Sequence, residues 1–130
     1  MYKIDKKTYG VSLTFDGFIK KDEMQNWVND TKKVVPTLKS KFGIFVDMRT
    51  MKALPRESQE LMQEGQKLFK QNGMERSVVI LNSATVTMQF KKIAKDTGIY
   101  QWERYIDASK VSNWEEIGKN WIEKAIDPDA

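Results

Sequence analysis

The sequence predicts an α/β fold built on a mostly parallel, five-stranded sheet whose N-terminal strand lies at an edge. Strand and helix patterns alternate along the chain in the order ββαβαβαβα. Two short runs, Ile44–Val46 and Val78–Leu81, are apolar throughout, as in central strands that helices cover on both faces. Helical segments long enough for right-handed crossovers separate the later strands, which implies parallel pairing.

The N-terminal region predicts two strands. Residues 2–7 are short and polar, as expected for an edge strand. In the next segment, Tyr9–Phe18, the apolar residues Val11, Leu13 and Phe15 alternate with polar ones, so one face of this strand should be buried.

The middle of the chain predicts two helices around a strand. The first helix covers residues 21–38 with an apolar stripe, and Pro36 should kink or end it. The third strand follows at Phe42–Met48. Pro55 suits the first turn of the second helix, and the glycine of Asn72-Gly73-Met74 is typical of a helix stop.

The C-terminal half continues the alternation. We expect a fourth strand at Arg76–Leu81, a third helix from Ser83 or Ala84 to Gly98, and a fifth strand at about Trp102–Ile106. Ser112-Asn113-Trp114-Glu115 resembles a capping box that opens the last helix. Three tryptophans on apolar helix faces are predicted to be core residues: Trp27, Trp114 and Trp121. No linker or repeat divides residues 1–130, so one domain is expected.

The absence of cysteine and histidine restricts the chemistry of the chain. Without cysteine there is no disulfide, thiolate ligand or thiol nucleophile. Without histidine the usual general base and the commonest zinc ligand are missing, which excludes Ser-His-Asp and Cys-His hydrolases. An enzyme would need a carboxylate-centred site at Asp47 or Asp107. We therefore expect a binding module rather than an enzyme, without cofactor or metal.

The charge pattern indicates an ordinary solvated surface and argues against nucleic-acid binding. The net charge of +4 arises from 22 basic and 18 acidic residues. Lysine pairs such as Lys6-Lys7 have acids nearby, and no arginine-rich stripe interleaves with aromatic residues. No apolar run approaches the roughly 18 residues that a membrane span requires. The N-terminus also lacks the apolar stretch of a secretory signal, so a cytoplasmic location is expected.

Candidate binding residues follow the carboxyl ends of the parallel strands, where open sheets commonly bind ligands. Alternation places Phe45, Asp47 and Arg49 on one face of the third strand. The favoured interpretation is that Asp47 accepts loop N–H groups and pairs with Arg49, and direct contact with a ligand or partner is the alternative. Met51 could contribute to an adaptable apolar pocket, although core packing is the commoner role of methionine. Ser83 and Thr85 could hold an anion at a helix start, but an ordinary cap is favoured for Ser83.

Three stretches together resemble the SpoIIAA-like branch of the STAS superfamily, also described as STAS/SEC14-like. They read "FGIFVDMRTMKALPRES", "LFKQNGMERSVVILNSATVTMQFKKIAKDTGIY" and "ERYIDASKVSNWEEIGKNWI". The shared motifs are a strand ending in Asp-x-Arg, a glycine before the fourth strand, and Tyr-Ile-Asp before a Trp-Glu-Glu helix. The resemblance extends from about Tyr9 to Ile122.

The resemblance implies a small regulatory or protein-binding domain. Anti-sigma-factor antagonists of this superfamily are switched by phosphorylation of a serine in an Asp-Ser-Ser-Gly motif near the second helix. This sequence has Leu54-Pro55-Arg56-Glu57-Ser58 there, with Glu57 at about the position of the phosphoserine and Ser58 beside it. The SEC14-like side of the resemblance implies instead a lipid or other small apolar ligand between helices and sheet. A homo-oligomer is compatible with either function.

Overall fold

The computed structural model describes residues 1–130 and has the predicted order of elements. The strands are β1 (Tyr2–Lys7), β2 (Gly10–Gly17), β3 (Phe42–Met51), β4 (Met74–Leu81) and β5 (Glu103–Asp107). The α-helices are α1 (Lys21–Val34), α2 (Arg56–Gln71), α3 (Ala84–Thr97) and α4 (Trp114–Lys124). Single 3₁₀ turns at Val35–Thr37 and Tyr100–Trp102 follow α1 and precede β5. None of the helices combines the length and apolar character that crossing a membrane requires.

The five strands form one sheet in the order β1-β2-β3-β4-β5. β1 pairs antiparallel with β2, and the other three neighbouring pairs are parallel. This arrangement confirms the mostly parallel sheet and the position of the N-terminal strand at an edge.

The helices are divided unequally between the two faces of the sheet. Because the strand order follows the chain, right-handed crossovers bring α1, α2 and α3 to the same face. There they enclose the larger core of 24 buried residues. α4 alone packs on the opposite face, where its Trp121 and Ile122 join Phe45, Val78 and Ile80 in a smaller core. The apolar runs of β3 and β4 therefore contact helices on both sides, as the sequence predicts.

Trp27 of α1 lies at the centre of the larger core. Its ring is edge-on to Phe15 of β2, with the centroids 5.4 Å apart, and it also contacts Phe69 of α2. A Cβ at Gly65 would lie only 2.1 Å from the six-membered ring of Trp27, so glycine allows α2 to approach α1 closely. One large side chain thus joins the sheet to two helices.

Several local expectations differ from the structure, and β4 for example begins at Met74 rather than Arg76. β3 extends to Met51 rather than Met48, because a register shift in β2 lets Gly17 pair with Met51. The predicted capping box does not form, since the cap residue of α4 is Asn113 and its side chain makes no capping hydrogen bond. Trp114 is half-buried at the start of α4 rather than enclosed in the core. By contrast, α1 ends before Pro36, as expected.

Candidate functional site

Asp47 and Arg49 form a bidentate ion pair at the carboxyl end of β3. Nε and Nη2 of Arg49 donate to the two carboxylate oxygens of Asp47, each over 3.0 Å, and the Arg49 backbone N–H donates to Asp47 Oδ1 over 3.1 Å. These hydrogen bonds to Asp47 raise the pKa of Arg49 above its ordinary value. The geometry confirms the predicted pairing of Asp47 with Arg49 and fixes the direction of the guanidinium group, but the backbone N–H that Asp47 accepts belongs to β3 and not to the loop.

The guanidinium group of Arg49 stacks on Trp114, which the sequence did not identify as a site residue. Its central carbon lies 4.2 Å from the centre of the indole ring, within the range of a cation–π contact. On its inner side Trp114 approaches Phe45, with ring centroids 6.4 Å apart. Arg49 is exposed and Trp114 is half-buried, so both present surface to solvent beside the sheet.

The part of the sheet next to this pair carries no helix. α4 packs against β3, β4 and β5 and leaves the same face of β1 and β2 uncovered. Strand pairing places the side chains of this uncovered area in rows, with Lys3 opposite Thr14, Asp5 opposite Ser12, and Thr14 beside Asp47. We call this area the open face, and its residues are Lys3, Asp5, Ser12, Thr14, Asp47 and Arg49.

The open face is polar but not strongly charged. Lys3 and Asp5 form an ion pair of 3.5 Å, and Asp47 neutralises Arg49. The hydroxyls of Ser12 and Thr14 lie between these two pairs. Only its border, formed by Arg49 and Trp114, has the residue types that dominate binding energy at protein–protein interfaces, since lysine, aspartate and serine are depleted there.

The remaining predicted residues lie elsewhere. Met51 is buried in the larger core, on the side of α1–α3. The loop after β3 is attached to α3 on that same side, because the Gln89 side chain bonds both the N–H and the carbonyl of Leu54, over 2.9 and 3.2 Å. The sheet therefore separates Met51 and this loop from Asp47 and Arg49.

Ser58 is also inside the protein. Its side chain is fully buried, and its hydroxyl donates to the carbonyl of Ile19 over 3.0 Å. Its neighbour Glu57 is exposed in the first turn of α2. A phosphoryl group on Ser58 would need the start of α2 to separate from the loop before α1.

Ser83 caps α3, the role favoured from the sequence. Its hydroxyl oxygen accepts the N–H of Val86 over 3.3 Å. Thr85 is exposed in the first turn. Ser83 thus satisfies one of the free N–H donors in the first turn, and α3 begins with an ordinary capped end.

The interior between the sheet and α1–α3 contains one small cavity of about 30 Å³. Such a volume accommodates about one water molecule and no lipid. Most of the lining is apolar, and the polar lining residues are Gln66, Ser77 and Glu103. The core is thus nearly filled, which disfavours a resident apolar ligand.

Glu103 in this cavity wall is a buried carboxyl group that the sequence analysis missed. Only 4% of the residue is exposed. Ser77 donates to one of its oxygens over 2.8 Å, and the Tyr105 hydroxyl donates to the other. Burial raises the pKa of Glu103 to about 7, although these two hydrogen bonds act in the opposite direction. Its position in β5 between Trp102 and Arg104 gave no periodic signal that would have placed it inside.

Comparison with known proteins does not assign the chain to a family. No family model matches the sequence, and no curated protein matches it. What bears on function is therefore the geometry of the open face and the nearly filled core.

Proposed function

We propose that this protein is a non-enzymatic interaction module that binds a partner protein through the open face. The observation that carries the proposal is the uncovered sheet area beside Arg49 and Trp114. Arginine and tryptophan are the residues most enriched among those that dominate binding energy at interfaces. A fixed guanidinium group on an indole ring also presents a rigid surface, so little side-chain entropy is lost on binding.

A regulatory role of the STAS type is compatible with this proposal, but it would not use Ser58 as its switch. The burial of Ser58 and its bond to Ile19 support a structural role for that hydroxyl. The alternative of a lipid or other apolar ligand finds no support in a cavity of about 30 Å³. Such a ligand would have to displace α2 or α3 from the sheet.

The proposal predicts that Arg49→Ala weakens partner binding by at least about tenfold, because the substitution removes the stacked cation and leaves Asp47 unpaired. The free energy of unfolding should change by no more than about 1 kcal/mol, since the ion pair is partly exposed. Binding would be compared by quantitative mass spectrometry of proteins retained on the immobilised wild-type and variant chains.

Arg56→Ala provides a matched control for this comparison. Arg56 is exposed at the start of α2 and lies 3.9 Å from Glu60, so its removal causes the same change in charge away from the open face. We expect the Arg56 variant to retain the same proteins as the wild type. Retention of the same set in the same amounts by the Arg49 variant would contradict the proposal.

A further inference from the structure

A second surface with a different character lies at the opposite end of the sheet. Two adjoining grooves of about 330 and 570 Å³ run between the β1–β2 turn, the start of β3 and the C-terminal half of α4. Both grooves are lined by Thr8, Tyr9 and Glu123. We call them together the basic groove, because their walls contain six basic side chains: Lys6, Lys7, Lys39, Lys41, Arg76 and Lys119.

The basic groove carries most of the net charge of the protein. Its six basic residues face Glu75 and Glu123, and Lys119 also pairs with Glu115 over 3.1 Å, which leaves an excess of three positive charges. The net charge of the whole chain is +4. A positive potential of this kind, concentrated in a concave surface, attracts anionic partners.

Ordinary structural roles do not explain Lys39 and Lys41 of the groove. Lysines on an edge strand block unwanted strand pairing, and this explains Lys6 and Lys7 in β1. Lysines in the last turn of a helix complement its dipole, but Lys39 and Lys41 lie outside any helix, between the 3₁₀ turn and β3. Lys7, Lys39 and Lys41 are exposed, and none has a carboxylate oxygen within 4.0 Å.

We propose that the basic groove binds an extended acidic segment of a partner protein. Glu75 and Glu123 interrupt the positive surface, which disfavours an unbroken row of phosphates such as that of a nucleic acid. An extended peptide alternates its side chains, so it can direct carboxylates to the lysines and neutral groups to Glu75, Glu123 and the half-buried ring of Tyr9.

This second surface shares no residue with the open face. The two surfaces adjoin where the Tyr9 side chain is hydrogen-bonded to Ser12, but Arg49 and the groove lysines lie at opposite ends of the sheet. A protein that uses both could hold two segments of one partner, or two partners, at the same time. The two proposals can therefore fail separately.

Fluorescence anisotropy with a labelled peptide of alternating glutamate and serine, about ten residues long, tests the groove directly. We expect saturable binding at about 50 mM salt that weakens at about 300 mM, since the contacts are exposed charges. The variant Lys7→Glu/Lys39→Glu/Lys41→Glu should bind at least about tenfold more weakly. The control Lys20→Glu/Lys52→Glu/Lys92→Glu alters three other exposed lysines that make no ion pair, and it should stay within about twofold of the wild type.

Several outcomes would overturn the proposal. These are the absence of saturable peptide binding, an equal loss of affinity in the two triple variants, or tighter binding of single-stranded oligonucleotides or phosphatidylserine vesicles than of the peptide. Circular dichroism would establish that each variant is folded. Arg49→Ala should leave peptide binding unchanged, which separates this proposal from that for the open face.

Discussion

Replacing Glu103 with glutamine is expected to remove most of the pH dependence of stability between about pH 4.5 and 7.5. The pKa of Glu103 is about 7 in the folded protein, against an ordinary value of 4.5. Because the fold favours the protonated carboxyl group, its stabilising contribution is complete below about pH 4.5 and is lost as the pH rises through 7. The wild type should therefore lose on the order of 3 kcal/mol of unfolding free energy over this range.

Glutamine suits the site without carrying a charge. Its carbonyl oxygen can accept the Ser77 hydroxyl, and its amide can donate to Tyr105, whose hydroxyl also lies 3.4 Å from the carbonyl of Phe90. Denaturant titrations at a series of pH values would measure the effect. Glu116→Gln, on the exposed surface of α4, is the control and should follow the wild-type curve. Parallel curves for the wild type and the Glu103 variant would contradict the expectation.

Trp27→Ala is expected to lower the unfolding free energy by about 4 kcal/mol. The indole ring is among the largest fully buried side chains, and its removal leaves a void between β2, α1 and α2 that Gly65 cannot fill. Thermal or chemical denaturation followed by circular dichroism would give the difference from the wild type.

Trp27→Phe provides the informative comparison. The Trp27 Nε1 has no hydrogen-bond partner, so phenylalanine loses volume but no hydrogen bond. We expect this variant to be destabilised by less than half as much as Trp27→Ala. Equal effects of the two substitutions would contradict the packing of the ring as the source of the stability, and an alanine effect below about 1 kcal/mol would contradict the position of Trp27 in the core.

Periodicity and turn chemistry were sufficient to predict the order of elements and the sheet. Alternation in β3 also placed Asp47 and Arg49 on one face correctly, because a strand directs successive side chains to opposite sides. The prediction that Asp47 pairs with Arg49 needed only their spacing. The cap at Ser83 was similarly local, since it joins residues three apart.

Features that depend on distant contacts could not be predicted in the same way. Periodicity does not reveal that α4 alone covers one face, and so Trp114 was placed in the core instead of beside Arg49. Ser58 was a candidate because the family resemblance places it beside the phosphoserine position, but its orientation depends on the carbonyl of Ile19, 39 residues away. The basic groove likewise combines lysine pairs and single residues from four separate segments.

The open face, rather than the interior, is expected to contact the partner. Site-specific photo-crosslinking in cells that produce the protein, with a benzophenone amino acid in place of Thr14, would show this contact. Lys92, exposed on α3, is the control position. We expect a discrete crosslinked species at Thr14 that is reduced by Arg49→Ala and is absent at Lys92. No crosslinked species at Thr14, or the same species at both positions, would contradict the claim.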